Sequence, residues 1–136
     1  MGYIFEFDPV NAILQCRFSA QVTDELLKAY YFAAGKHAAR THPRAAILDL
    51  SDATFFEVSS QTLRDLAREA PAMPDVTVPR FIIAPTDYLY GMARMFQLLG
   101  EETRPLLHVV RTRDEVYALL GIHQAKFEPV EAINPD

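Results

Sequence analysis

The chain has 136 residues, half of them apolar and 11% aromatic, with 13 basic against 18 acidic residues and a net charge of −5 with four neutral histidines. That length fits one domain and the apolar fraction supports a real core, while the acidic balance argues against nucleic acid as a main partner, because phosphate neutralisation needs a clustered basic surface. The single cysteine, Cys16, excludes an intramolecular disulfide and fits a cytoplasmic location, and no apolar run approaches the roughly 18–20 residues that span a bilayer.

Residues 3–7 alternate, Tyr3, Phe5 and Phe7 against Ile4 and Glu6, and the first residues lack the basic-then-apolar layout of a secretory signal. Asp8-Pro9-Val10-Asn11 has turn chemistry. Residues 12–18 then alternate again, Ala12, Leu14, Cys16 and Phe18 against Ile13, Gln15 and Arg17, which predicts an antiparallel hairpin. Thr23 is placed to cap a long helix whose first turn carries Asp24 and Glu25, favourable at the positive end of the dipole, and which stops at Thr41-His42-Pro43. Residues 45–50 read as a short buried strand, and Ser59 or Ser60 as the cap of a second helix running to about residue 70. Pro71, Pro74 and Pro79 mark a stiff loop before a strand at 80–84. Thr86 caps a third helix to about Gly100, and 106–110 is the next strand. Thr112-Arg113-Asp114-Glu115 is a capping box opening a helix that ends at Gly121. Residues 122–136, with Pro129 and Pro135, read as a tail following a single domain of residues 1–121.

The predicted order is β-β-α-β-α-β-α-β-α, an α/β class with a mixed five-stranded sheet, parallel through right-handed crossovers apart from the hairpin. Strands covered on both faces are almost uniformly apolar, yet here each strand carries a polar residue on one parity: Gln15, Arg17, Asp49, Arg80 and His108. Helices mainly on one face are therefore expected, with Asp49, Arg80 and His108 together on the other. Strand-end positions are the plainer explanation of the same residues.

Two stretches carry a family resemblance. Residues 46–60, an apolar strand followed by Asp49, Ser51, Asp52, Glu57, Ser59 and Ser60, resemble the strand–loop–helix of STAS domains, the bacterial anti-sigma-factor antagonists. Residues 81–96, from Phe81-Ile82-Ile83-Ala84-Pro85-Thr86 to Met95-Phe96, and 109–116 are similar to the SpoIIAA-like (STAS/SEC14-like) subgroup. The resemblance implies a sheet with helices mainly on one side, a phosphorylatable serine ahead of the second helix, and action by binding a protein partner. In place of the family's acid-Ser-Ser-Gly run, this chain has Glu57-Val58-Ser59-Ser60-Gln61.

Ser59 and Ser60 are thus the candidate phosphosite, with helix capping as the ordinary role of either. In open α/β sheets ligands gather where strands end and helices begin. Here that rim holds Ser51, Asp52, Pro85, Thr86 and Asp87, without a glycine-rich phosphate loop. Asp52, Glu57, Asp87, Tyr88, Tyr90 and Arg94 form the candidate partner or ligand surface, while Met92 and Phe96 read as ordinary core. No His or Cys spacing suits a metal, no nucleophile-elbow motif is present, and no cofactor or catalytic residue is indicated. The sequence therefore reads as a cytoplasmic, non-enzymatic regulatory domain that binds a protein partner, not nucleic acid, and self-associates as a dimer. The alternatives are a carrier of an apolar small molecule or lipid, and an enzyme of unknown class.

Overall fold

Alternation in the first 23 residues builds the hairpin that anchors the sheet. β1 (Tyr3–Asp8) and β2 (Ile13–Thr23) pair antiparallel, from Tyr3 opposite Phe18 to Asp8 opposite Ile13. The computed structural model describes residues 2–130. Asp8 closes the hairpin turn: its carboxylate accepts from the Val10 and Asn11 amides and from the Asn11 side chain.

The remaining elements follow the expected alternation, each helix starting where a hydroxyl can satisfy its free N–H groups. They are α1 (Asp24–Thr41), β3 (Ala45–Glu57), α2 (Ser60–Arg68), β4 (Arg80–Ile83), α3 (Asp87–Leu99), β5 (Leu107–Val110) and α4 (Arg113–Leu120). Thr23, Ser59, Thr86 and Thr112 are the four N-caps. Gly121, at φ 69°, ends α4 in the left-handed conformation that glycine adopts without strain.

The sheet is α/β and mixed, with six strands rather than the five expected. β6 (Glu128–Pro129) pairs antiparallel with β1, giving the order β5-β4-β3-β2-β1-β6. It comes from the stretch that reads as a tail in sequence, and Val130 beside it is fully buried. Residues 131–136 of that stretch lie outside the described residues. The central strands are also longer than expected: β2 and β3 run on together as a parallel ribbon to Thr23 opposite Glu57, past two register shifts after Arg17 and Ala20.

Two layers cover the sheet. α1, α2 and α3 lie on the face carrying Phe5, Leu14, Cys16, Phe18 and Ile82. Tyr30 of α1 packs edge-on against Phe18 and stacks on Phe5, with centroids 5.3 and 5.9 Å away, fastening α1 to the hairpin. The other face carries Ile13, Ala45, Ile47, Phe81 and Ile83 under Val116 of α4 and the stretch around Ile122 and Phe127. Beside them, Glu6 holds Gln15 and Arg17, and Asp49 receives Arg113 of α4 at 2.5 Å.

The expected grouping of Asp49, Arg80 and His108 on one face does not hold. Parallel partners share a face, and Arg80 pairs with Ala46 and Leu107, whereas Asp49 pairs with Ile83 and Phe81 with His108. Asp49 and His108 therefore face the α4 side, and Arg80 points under the three-helix layer.

Candidate functional site

Within that layer, α2 packs on α3 while α1 packs on β2. Ala46 and Leu48, on a central strand that the helices should seal, keep accessible surface. A cavity of about 150 Å³ lies there, floored by these two residues and walled by Leu27, Tyr30, Leu63 and Phe96. Tyr30, half-buried, lines it, and burial pushes its phenol pKa up. Cys16 lines the same space, and burial, then the charge of Glu6, raises its thiol well above the usual range, so it is a weak nucleophile.

One end of the lining is charged. Arg80 opens β4, and Arg104 lies three residues before β5, so both stand where the parallel strands begin. They are 9% and 6% exposed. Arg80 donates through Nε to the Val78 carbonyl and through Nη2 to the Met73 and Asp75 carbonyls at 2.9 and 2.6 Å. Arg104 donates to the carbonyls of Leu66, Ala67 and Glu69 at the C-terminal end of α2 and sits 5.0 Å from the Phe96 ring centroid. Burial lowers the pKa of both guanidinium groups, and the charge of Arg104 lowers that of Arg80 further. The ion pairs among the described residues are Arg17–Glu6, Arg68–Asp65, Arg111–Asp87 and Arg113–Asp49; neither buried arginine takes part. The cavity shares Ala72 and Met73 with a shallower groove of about 440 Å³ between the C-terminal half of α1 and the loop after α2.

The chain matches no family model, no curated protein and no solved structure.

The residues singled out in sequence lie elsewhere. Ser59 is the cap of α2: its Oγ accepts from the Thr62 amide at 3.1 Å and donates to Asp24 at 3.2 Å, while Ser60 is the first residue of the helix, and both serines are exposed. The Ser59 amide also binds Asp24, and hydrogen bonds to that residue hold the Asp24 carboxyl below its usual pKa. Asp52 and Glu57 are exposed on the β2–β3 ribbon, where Glu57 accepts from Gln21. Asp87 pairs with Arg111 at 2.7 Å, and the same guanidinium lies 4.4 Å over the Tyr90 ring. Tyr88 leans on Phe56 with its hydroxyl on the Phe56 carbonyl, and Arg94 turns to Gln97. These side chains form a scattered polar surface, not a pocket, although Tyr88 and Phe55 leave aromatic area exposed there.

Sequence reasoning missed Arg104 and Tyr30 as site residues and turned Arg80 to the wrong face. One signal was present: an arginine opening the otherwise apolar run Phe81-Ile82-Ile83-Ala84 straight after a proline. Among the described residues no group of His, Cys, Asp or Glu is placed to hold a metal ion, and no helix is long and apolar enough to cross a membrane.

Proposed function

We propose that this domain binds a small apolar molecule in the cavity beneath α1, α2 and α3. The observation that carries this reading is the accessible surface left on Ala46 and Leu48 in the middle of the sheet. Close-packed interiors hold few voids larger than a water molecule, whereas an apolar cavity of about 150 Å³ stays dry and accepts a ligand the size of benzene. The lining offers no activated nucleophile, since Cys16 is held as a neutral thiol, so the reading is of a binding site. It takes up the carrier alternative of the sequence, with a smaller cargo than a full-length lipid.

Benzene or 1-hexanol added to the protein tests it. A ligand at about ten times its Kd stabilises by RT ln(1 + [L]/Kd), roughly 1.4 kcal/mol, which raises the melting temperature of a domain this size by several degrees. Chemical-shift changes in NMR should centre on Ala46, Leu48 and Tyr30. No thermal shift and no localised spectral change would overturn the reading.

A second reading, regulation through a protein partner as in the STAS domains the sequence resembles, is favoured by the exposed Phe55 and Tyr88, 61% and 58% exposed, on the side of the molecule where Ser60 is open to solvent. The intact mass of protein isolated from its own cells separates the two: one added phosphate on Ser60 supports regulation, and a co-purified small apolar molecule supports the cavity.

A further inference from the structure

We infer that the cavity ligand carries a single anionic head, a carboxylate on a compact aryl or short alkyl body, held by Arg80 with Arg104 behind it. The cavity-binding reading is the premise of this assignment, which adds the ligand's chemical class. Two buried arginines at one end of an apolar space are costly unless their charge is met. The carbonyls around them satisfy donors but supply only part of the charge: a helix C-terminus is equivalent to roughly half an elementary charge, against two full positive ones. The acid whose charge acts on Arg80, Asp75, is exposed and takes the Thr77 amide and hydroxyl on one oxygen, so it offsets that guanidinium only from solvent.

Donor arithmetic points the same way. A guanidinium has five N–H groups. Arg80 uses one on Nε and two on Nη2 for carbonyls, and the two on Nη1 have no acceptor among the described residues. Arg104, by contrast, places four on three carbonyls and the Thr103 hydroxyl. Arg104 is thus the fixed background charge and Arg80 the donor with capacity for a ligand. The shared wall at Ala72 and Met73, the latter's carbonyl held by Arg80, sets this charged end beside the outer groove, where an ionised group can reach it without crossing the apolar interior.

Titration calorimetry with hexanoate, 1-hexanol and acetate tests the assignment on the whole chain. Hexanoate should bind about 10- to 100-fold more tightly than hexanol, the range of one charge-assisted hydrogen-bonded contact, and acetate should bind far more weakly than either. Arg80→Gln should bring hexanoate affinity down to that of hexanol measured on the same variant. Should that variant fail to fold, Arg80→Lys keeps the charge without the planar fork and should retain only part of the preference for hexanoate. Equal binding of hexanoate and hexanol overturns the anionic head and leaves the apolar site standing. Acetate binding as tightly as hexanoate overturns the amphiphile. Binding of none of the three overturns the cavity reading and this one with it.

Discussion

Ala45 and Ala46 are neighbours on β3 that face opposite layers, and valine at each should change stability with opposite sign. Ala45 is 2% exposed in the packed cluster with Ile13 and Ile47, whereas Ala46 keeps surface on the cavity floor. Valine adds two methyl-sized groups. At about 0.8 kcal/mol each, burying them in existing empty space contributes roughly 1.6 kcal/mol, and lost rotamer freedom reduces this to about 1 kcal/mol. At Ala45 the same groups have nowhere to go, and overpacking costs about 1–3 kcal/mol. Strand propensity cancels between the two sites, since both are central positions of one strand. Thermal unfolding followed by circular dichroism should therefore show Ala46→Val melting about 3–5 °C higher and Ala45→Val lower by at least as much. Urea unfolding should give unchanged m-values, which assigns the shifts to stability rather than to a change in the unfolded ensemble. Ala46→Val should also weaken hexanol binding, trading ligand space for stability. Equal destabilisation by both substitutions would refute the reasoning, because it would mean the floor of the cavity is already filled.

Three further outcomes are expected. Ser59→Ala should lower stability by about 0.5–2 kcal/mol through loss of the α2 cap, while Ser60→Ala stays within about 0.5 kcal/mol, both read by chemical denaturation. Burial would raise the Asp8 carboxyl, but hydrogen bonds from Asn11, Val10 and Lys126 override it and hold the pKa below 3.8. Its contribution is therefore complete above that value and lost as pH falls through the depressed native pKa, so Asp8→Asn should remove part of the acid-induced loss of stability below about pH 4. Cys16, 2% exposed and with its thiol pKa raised by burial, should react with iodoacetamide at pH 8 far more slowly than in the unfolded chain, and saturating hexanol should slow it further; labelling at the rate of the unfolded chain would contradict its placement.

What was legible in the sequence was local. Thr23, Ser59, Thr86 and Thr112 are caps because a hydroxyl ahead of a helix acts within one turn, and the hairpin follows from alternation on either side of Asp8. Register is a different matter. The polar parity of β4 was visible, but which face Arg80 takes depends on how β4 slides against β3, and its guanidinium finds its acceptors outside the strand, on the Met73, Asp75 and Val78 carbonyls. Residues 51–57 carry Ser51, Asp52 and Thr54 among their aromatics and read as a loop, yet pairing with the second half of β2 draws them into the sheet. β6 has two residues, one of them Pro129, which gives no strand signal and is tolerated only on an edge. The cavity was the least legible feature, since periodicity tells which side chains point inward and not whether they fill the space they enclose.

The way β1 is closed has a consequence for how the chain is made. Its outer side is covered by β6, and the Asp8 carboxylate reaches the Lys126 amide across 118 residues of sequence. At about 5–20 residues per second, a ribosome delivers that cover roughly 5–21 s after the hairpin. Throughout that interval Tyr3, Phe5 and Phe7 belong to a strand with one bare edge, the template on which nascent chains join one another. Slow translation is then a hazard for this fold, and a chaperone that shields the hairpin early should raise its yield more than one that acts after release.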